Sequence, residues 1–399
     1  MKKIKVDLNE FLSAFSLALD LAESLALGSD DLKIMEHARR VSYIATSIAK
    51  KLNIDTKIQK RIYIAALLHD ISIADALKEC HEKEELISYH CEKGAEIVNK
   101  MPLDSSLKDV IKYHHEKWDG TGPFNLSKHD IPLESRIIHL ADLFDLNFYS
   151  RKKEIIITSK AVEWINQNTN SFFDPEIGDV LLELILKDSL LLDLSMPNIK
   201  ENLKKITPPI EIVIDIDGLK NMSHVLSTLI DNKSHFTYNH SQNVAQISLR
   251  IAKELNFDEN KLKMIEIAGL LHDLGKLAIP TEILDKPGKL TAKEFEIIKT
   301  HPYYTRRILS EIKGFDEITN WAANHHEKLD GSGYPYSLKS EQLGLEDRII
   351  AISDIYSALT QERPYRKVLE PLEALKIIEE EIKKDKLDSM VFNTLKRII

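Results

Sequence analysis

The sequence contains one apolar stretch twice, each time ending in a His-Asp pair. Residues 58–72 read IQKRIYIAALLHDIS and residues 262–276 read LKMIEIAGLLHDLGK. Apolar segments of this length that lack glycine and proline clusters favour buried helices. The two segments therefore predict helices that end at His69-Asp70 and His272-Asp273, inside a helical core that would hold these side chains rigidly.

Each pair belongs to a longer series of histidines and aspartates in the same order. The spacing from the first His to the His-Asp pair is 32 residues in both copies, and that from the second lone His to the His-His pair is 24 in both. A single histidine is more often a core or surface residue than a ligand, but a repeated series of seven predicts a metal site. The first series is His37, His69, Asp70, His90, His114, His115 and Asp142, and the second is His240, His272, Asp273, His301, His325, His326 and Asp354.

Composition and the internal repeat set the broad class of the protein. The 399 residues divide into two units, predicted at 1–200 and 210–399. A net charge of −9 argues against binding a nucleic-acid polymer through its backbone. Two cysteines, no signal peptide and no apolar run of about 18 residues predict a cytoplasmic protein without a membrane span.

Apolar periodicity predicts an all-α fold with two tandem helical domains. Apolar residues follow His37 and His240 at helical spacing, so each of these histidines should lie on the buried side of a helix. Short β-like runs at 4–8 and 210–216 open the two units and are expected to pair with each other or to pack at the domain junction. Residues 196–209, which contain three prolines, predict a linker, and Gly275 predicts a helix stop.

The ligand types indicate the chemistry. Imidazole and carboxylate without thiolate suit Fe, Mn or Zn, and five histidines with two aspartates exceed the needs of one ion, so each complete site should hold two divalent ions. Asp273 could bridge them. A hydroxide held between two such ions can attack a phosphorus atom without a protein nucleophile. The series therefore predicts phosphoester cleavage.

Residues 214–399 resemble the HD-GYP family of HD-domain metal-dependent phosphohydrolases. The resemblance rests on the ordered ligands together with His272-Asp273-Leu274-Gly275-Lys276, Gly333-Tyr334-Pro335 and Arg363-Pro364-Tyr365-Arg366. It implies an all-helical domain, iron or manganese, and hydrolysis of cyclic di-GMP to pGpG or GMP. It also implies that Asp273 and Lys276 are catalytic, and that the substrate is bound by Lys276, Tyr334, Arg363 and Arg366.

The family pattern is incomplete at two positions of this second copy. Members with a third metal carry a Glu one turn before the first His, where this chain has Phe236 (and Lys33 in the first copy), so two ions are expected. Ser357 replaces an Asp often found three residues after the last ligand.

Residues 7–195 resemble a divergent HD domain that keeps all seven ligand types. Ser72-Ile73 replaces Gly-Lys, Gly122-Pro123-Phe124 replaces Gly-Tyr-Pro, and no Arg-Pro-Tyr-Arg follows Asp142. A second metal site without cyclic di-GMP turnover and a structural, dimerising role both fit this unit.

Two other functions stay open for the chain as a whole. One is an HD phosphohydrolase for another cyclic dinucleotide or nucleotide, and the other is a cyclic-dinucleotide receptor without turnover. A homodimer or a regulatory protein partner is compatible with either.

Overall fold

The computed structural model describes residues 5–26, 36–72, 84–150, 157–187, 189–195, 199–209, 213–234, 239–361 and 368–399. The chain divides into two compact units. The N-terminal unit is Phe15–Ile212, and the C-terminal unit combines Met1–Ala14 with Val213–Ile399. None of the described helices is both long enough and apolar enough to cross a membrane.

The N-terminal unit is built from helices, with α2 packed against α3, α6, α8 and α10. Its core is apolar, and Val41, Ile44 and Ile48 on one side of α2 are fully buried. The helices are α1 (Leu8–Ala26), of which residues 8–14 group with the C-terminal unit, α2 (His37–Lys51), α3 (Thr56–Leu68), α4 (Glu84–Asn99), α5 (Leu107–Lys112), α6 (Leu133–Asp145), α7 (Thr158–Asn168), α8 (Pro175–Ile185), α9 (Ser189–Ser195) and α10 (Ile199–Ile206).

The C-terminal unit is also helical, with α12 packed against α13, α18 and α20. Val244 and Ile251, on the inner side of α12, are buried. The helices are α11 (Ile216–Asn232), α12 (His240–Glu254), α13 (Glu259–Leu271), α14 (Thr281–Leu284), α15 (Ala292–Ile298), α16 (His301–Leu309), α17 (Asp316–Ala323), α18 (Leu345–Thr360), α19 (Pro371–Ile382) and α20 (Ser389–Ile398).

The two short strands pair with each other. Strand β1 (Lys5–Asp7) lies antiparallel to β2 (Val213–Asp215), with Val6 opposite Ile214. Both strands belong to the C-terminal unit, and Phe11 at the start of α1 packs edge-on against Phe315 of the same unit. Residues 1–14 therefore group with 213–399, whereas the sequence assigned them to a first unit of 1–200.

The all-α fold class is confirmed, as are the helices that end at the two His-Asp pairs. The predicted linker at 196–209 is wrong over most of its length, because residues 199–206 form helix α10. Ile199 and Leu203, one helical turn apart, are buried, and α10 packs against α2 and α9. Amphipathic spacing thus outweighs the flanking prolines, which lie outside the helix.

A buried aspartate holds the beginning of the helix that carries the first histidine in each unit. Asp20 accepts hydrogen bonds from the backbone N–H groups of Glu36 (2.8 Å) and Ala38 (3.1 Å). Asp231 accepts from the Ser241 N–H (3.0 Å) and hydroxyl (2.7 Å). These carboxylates satisfy the free N–H groups of α2 and α12. They thereby fix where His37 and His240 enter the core.

Candidate metal centres

The seven predicted ligands of the C-terminal unit meet at one place in its core. They come from different helix ends: His240 is the first residue of α12, His272 and Asp273 follow α13, and His301 is the first residue of α16. The His325-His326 pair lies just after α17, and Asp354 lies within α18. The sequence prediction that these side chains form one cluster therefore agrees with their positions.

The two carboxylates lie between the imidazoles. Asp273 Oδ2 is 3.3 Å from His272 Nε2, and its Oδ1 is 3.4 Å from His301 Nε2. Asp354 Oδ1 is 3.1 Å from His240 Nε2, and its Oδ2 is 3.8 Å from His326 Nδ1. Asp273 thus faces histidines on two sides, as a carboxylate shared by two ions would.

Backbone carbonyls fix the orientation of three of the histidine rings. The Nδ1 atoms of His272, His301 and His325 lie 2.8, 2.7 and 2.7 Å from the carbonyl oxygens of Gly269, Ile298 and Ala322. A carbonyl can only accept, so Nδ1 carries the proton in each ring. When the ring is neutral, the Nε2 lone pair then faces the centre, which is the arrangement of metal-binding histidines.

Burial and charge set the protonation of these groups. Burial by itself would raise the pKa of Asp273, but the charges of His272 and Lys276 hold that pKa well below its usual range. Burial would lower the pKa of His272, and Asp273 and Asp354 instead raise it to about 10. Burial lowers the pKa of His301 to about 4 and that of His325 to about 3. Neutral imidazoles and ionised carboxylates are the forms that bind metal.

Lys276 contacts the shared carboxylate directly. Its Nζ is 2.5 Å from Asp273 Oδ2, and its side chain is 16% exposed. The ammonium group therefore lies between the buried cluster and solvent. His326 also reaches solvent there, with 25% of its side chain exposed. The C-terminal centre is thus open on the side of Lys276 and His326.

Gly275 has a role that differs from the predicted helix stop. Helix α13 already ends at Leu271, and Gly275 lies in the short 3₁₀ helix Leu274–Ala278. Its N–H donates to Thr305 Oγ1 (2.9 Å), and the Thr305 hydroxyl donates to the His272 carbonyl (3.0 Å). A Cβ at this position would overlap the His301 carbonyl oxygen and come within 2.7 Å of the Thr305 nitrogen. Glycine lets the His-Asp turn touch the start of α16.

Glu327, next to the two histidines, anchors the Gly-Tyr-Pro loop. Its carboxylate accepts from the backbone N–H groups of Tyr336 (2.8 Å) and Leu338 (2.9 Å). In the N-terminal unit, Glu116 accepts in the same way from Phe124 (2.5 Å) and Leu126 (2.8 Å). A Glu follows the His-His pair in both copies, and this repeated triplet could have indicated the loop anchor from the sequence.

The anchored loop places an aromatic side chain beside the ligands. The Tyr334 ring centre is 4.8 Å from that of His326, and Phe295 of α15 lies edge-on to Tyr334 at 6.3 Å. Phe295 is 45% exposed. Tyr334 was predicted to contact a base, whereas no pattern in the sequence indicated Phe295. The predicted phosphate clamps Arg363 and Arg366, like Phe236 and Lys33, lie outside the described residues.

The first histidine of each unit is held by a different partner. In the C-terminal unit, His240 Nδ1 is 2.8 Å from Gln361 Oε1 and 3.2 Å from Ser357 Oγ. In the N-terminal unit, His37 Nδ1 is 2.7 Å from Asp145 Oδ2, and Arg40 donates to the same carboxylate. Sequence reasoning missed Asp145 and Gln361, although Asp145 stands three residues after Asp142, the spacing noted at Ser357.

The predicted ligands of the N-terminal unit form a matching cluster. Asp70 Oδ1 is 3.2 Å from His90 Nε2, and its Oδ2 is 3.2 Å from His69 Nε2. Asp142 Oδ1 is 3.3 Å from His37 Nε2. Groups of donor atoms within 4.8 Å of one another are found in both units: Asp70, His90, His114 and His115; His37, His69 and Asp70; His301, His325 and His326; and His240, His272 and Asp273.

Comparison with known protein families finds the same duplication. The sequence profile described as "HD domain" matches residues 25–177 and 224–391, which cover both clusters. The chain belongs to the HD domain family. The resemblance to a tandem protein of HD and HD-GYP phosphohydrolases is thereby confirmed.

Two relatives match this chain along most of their own length. The 3'3'-cGAMP-specific phosphodiesterase 1 of Vibrio cholerae is 31% identical over 98% of this chain and 92% of its own length. The 3'3'-cGAMP-specific phosphodiesterase 3 of the same organism is 31% identical over 93% of this chain and 79% of its own. A cyclic di-GMP phosphodiesterase of Thermotoga maritima is 38% identical, but over 41% of this chain and 45% of its own.

A solved structure supports the fold. The crystal structure of a cyclic GMP-AMP specific phosphodiesterase of V. cholerae, V-cGAP3, matches 99% of this chain and 98% of its own, with a TM-score of 0.70 at 24% identity. This chain thus shares the helical fold of that structure along nearly its whole length.

The packing of Gly275 predicts a large effect of a single methyl group. Gly275→Ala should lower the free energy of unfolding by about 3 kcal/mol, because the Cβ overlaps backbone that cannot move freely. Thermal and urea unfolding measure this change. Gly314→Ala is the control, because Gly314 has φ +82° and no atom lies within 4 Å of a Cβ built there. This variant should lower the free energy of unfolding by about 1 kcal/mol, from backbone strain alone. Equal losses of unfolding free energy in the two variants would contradict the close contact at Gly275.

The pKa values predict that metal binding releases protons. His272 and His69, whose pKa values are raised to about 10, carry protons at pH 7 in the metal-free protein and must lose them to bind an ion. His301 is already neutral and contributes none. Titration calorimetry with Mn²⁺ in buffers of different ionisation enthalpy should show at least about one proton released per centre at pH 7, because the raised-pKa ring must lose its proton and metal-bound water can also ionise. The part of the release that comes from His272 and His69 should disappear as pH rises through about 10, and affinity should fall as pH drops. If no proton were released at pH 7, His272 and His69 could not be protonated in the metal-free protein.

Proposed function

We propose that the C-terminal unit is a metal-dependent phosphodiesterase that hydrolyses a cyclic dinucleotide. The observation that carries the proposal is the open centre itself. Six other candidate ligands, five of them buried, surround the shared carboxylate of Asp273, and the ammonium group of Lys276 lies at the side where His326 meets solvent. A phosphodiester approaching from that side would reach the ligands and a positive charge together.

The donor set fits two divalent ions of the iron and manganese class. His240, His272 and Asp354 would hold one ion and His301, His325 and His326 the other, with Asp273 shared. Two such ions supply a nucleophile at neutral pH and stabilise the charge on a phosphodiester. The protein keeps the Nε2 lone pairs turned inward through the backbone hydrogen bonds of His272, His301 and His325.

Lys276 would bind the substrate phosphate. Its ammonium group contacts Asp273 and is partly exposed, so it can turn to a phosphate oxygen over a short distance. A positioned cation of this kind stabilises negative charge that develops during the reaction. Arg363 and Arg366 remain predicted as further phosphate clamps.

The Gly-Tyr-Pro loop and α15 would bind a base. Tyr334 stacks on His326 and meets Phe295, whose exposed ring also lies 5.4 Å from Lys299 Nζ. An aromatic pair that runs from the ligands to solvent offers a surface on which a nucleobase can stack. Phe295 would then help to bind substrate without taking part in the chemistry.

Among cyclic dinucleotides, 3'3'-cGAMP is the first candidate and cyclic di-GMP the second. The relatives that match nearly the whole chain are named for 3'3'-cGAMP. The relatives named for cyclic di-GMP match a smaller part, as in Pseudomonas aeruginosa, where 41% of this chain is covered at 36% identity. This ranking reverses the expectation from the HD-GYP motifs alone, while the reaction class stays the same.

The activity is tested with full-length protein loaded anaerobically with Fe(II) or with Mn(II). Each form is incubated with 3'3'-cGAMP or cyclic di-GMP, and linear products are separated by chromatography. Asp273→Asn should abolish hydrolysis, Lys276→Met should lower kcat/KM by about 100-fold, and Asp70→Asn should leave the product detectable. Lys263→Met is the matched control, since it removes an exposed ammonium that pairs with Asp217.

The other functions give different results in the same experiment. Binding of either dinucleotide with no turnover by any metal form would indicate a receptor. Turnover that survives Asp273→Asn and disappears with Asp70→Asn would assign the chemistry to the N-terminal unit and overturn the proposal.

Base stacking is tested at Phe295. Phe295→Ala should raise KM for the preferred dinucleotide about 10-fold, since stacking contributes about 1–3 kcal/mol per base, and should change kcat less than about twofold. Hydrolysis of methyl p-nitrophenyl phosphate, which has no nucleobase, should not change. Tyr303→Ala is the control, because Tyr303 is equally exposed but packs on Tyr304. A fall in kcat with KM unchanged would count against a binding role.

A further inference from the structure

A polar cavity of about 390 Å³ lies beside the His-His-Glu segment of the C-terminal unit. Cavities of this size accommodate small molecules. Its lining includes Arg306, Asn320, Asn324, Tyr336, Gln342 and Asp347. These residues are not candidate metal ligands, and the proposed hydrolysis does not use them. The cavity is therefore distinct from the metal centre, and its own side chains decide what it can bind.

Two opposite charges line the cavity with an amide between them. Asn324 Oδ1 accepts from Arg306 Nη2 (2.7 Å), and Asn324 Nδ2 donates to Asp347 Oδ1 (2.9 Å). Asn324 and Asp347 are buried, at 4% and 6% exposure. A buried charge is unfavourable when no opposite charge lies beside it. A ligand that contacts both the guanidinium and the carboxylate would therefore be bound favourably.

Both charged groups can form further hydrogen bonds. Arg306 Nη1 donates to Asn320 Oδ1 (2.7 Å), but its Nε is buried and has no hydrogen-bond partner within the described residues. Asp347 Oδ2 accepts from the Gly344 N–H (2.8 Å), and each carboxylate oxygen has two lone pairs. Burial raises the pKa of Asp347, so additional donors would stabilise its ionised form. The cavity thus calls for acceptors on one side of a ligand and donors on the next.

An aromatic ring completes the lining. Tyr336 is 39% exposed, its ring centre is 5.0 Å from Arg306 Cζ, and its backbone N–H is held by Glu327. An exposed ring on an anchored backbone offers a face on which a flat ligand can stack. A free amino acid would meet both charges, but its small zwitterionic group would leave this ring unused.

The N-terminal unit has different residues at the matching positions. Ala95 stands at the position of Arg306, five residues after the second lone histidine, and Tyr113 stands at that of Asn324, directly before the His-His pair. The Tyr113 ring packs edge-on against Phe124 at 5.6 Å. The duplicated fold therefore does not itself require an arginine and an amide here, which favours a binding role for them in the C-terminal unit.

We propose that this cavity binds the guanine base of a nucleoside or nucleotide. Guanine carries the acceptors O6 and N7 side by side, which an arginine can contact together, and an amino group on the neighbouring edge. Arg306 would donate to O6 and N7, Asp347 would accept from the N1–H and the amino group, and the base would lie against Tyr336. Adenine has an amino group in place of O6, so it would turn a donor toward the guanidinium.

The cavity adjoins the segments that build the catalytic side of the unit. Arg306 lies on α16, which begins at His301, and Asn324 directly precedes His325. Tyr336 lies two residues after Tyr334 in the anchored loop. A bound base would hold this loop in place. Binding itself does not depend on the proposed hydrolysis, whereas any effect on substrate affinity rests on that function.

The experiment measures guanosine binding to the full-length protein after EDTA treatment. Guanosine has no phosphate, so Lys276 does not attract it. Equilibrium dialysis with radiolabelled guanosine gives the Kd, and hydrogen exchange followed by mass spectrometry reports on the backbone at 333–343. Adenosine is compared as the second ligand.

The variants separate this cavity from other surfaces. Arg306→Gln and Asp347→Asn change the two charged groups of the cavity. Arg307→Gln is the matched control, because it removes an exposed arginine from the same helix. Phe295→Ala removes the aromatic surface proposed for the substrate.

Guanosine should slow exchange at 333–343 in wild type, because a bound ligand suppresses local opening. The Kd for this effect should rise about 10-fold or more in Arg306→Gln and in Asp347→Asn, and adenosine should bind about 10-fold more weakly than guanosine, as expected for lost contacts to a base edge. Arg307→Gln and Phe295→Ala should keep the wild-type Kd within about twofold.

The proposal is wrong if about 1 mM guanosine does not bind, if adenosine binds equally well, or if Phe295→Ala removes the effect and Arg306→Gln keeps it. Displacement of guanosine by free alanine would assign the cavity to an amino acid instead. If a cavity variant does not fold, the comparison of guanosine with adenosine on wild type still decides. Neither readout needs turnover, so an inactive enzyme would leave the result unaffected.

Discussion

Each centre depends on one carboxylate at the end of a buried helix. Asp70 and Asp273 lie one residue beyond the histidines that close α3 and α13, and each faces histidines from other helices. A buried carboxylate is unfavourable without positive partners, so the helices must bring imidazoles and cations to it. The positions of α2, α4 and α6 in one unit, and of α12, α16 and α18 in the other, satisfy this requirement.

The same set of candidate donors has different neighbours in the two units. Lys276 and the exposed edge of His326 leave the C-terminal centre accessible on one side. In the N-terminal unit, His139 packs where the other unit has Ala351, and Asp145 with Arg40 holds the first histidine. The residues around an unchanged set of candidate ligands therefore differ between the two units, and such neighbours orient ligands and control solvent access to a site.

Much of the fold and of the ligand set could be predicted from the sequence. The helices before His69 and His272 follow from their apolar content, and the ligands follow from a repeated order and spacing. The helix at 199–206 could not be predicted with the same ease, because prolines flank it and its burial depends on contacts with α2 and α9. Gly275 was misread for a similar reason: its need for glycine comes from α16, which is distant in sequence.

The sequence by itself determined the helical class, the duplication and the set of candidate donor side chains, because these depend on local periodicity and residue type. Tertiary structure decided which donors share a point, which of them reach solvent, and what holds each ring. The contacts of Gln361, Asp145, His139 and Phe295 beside the candidate ligands join segments far apart in the chain. Such contacts arise only when the helices pack, so no local pattern specifies them.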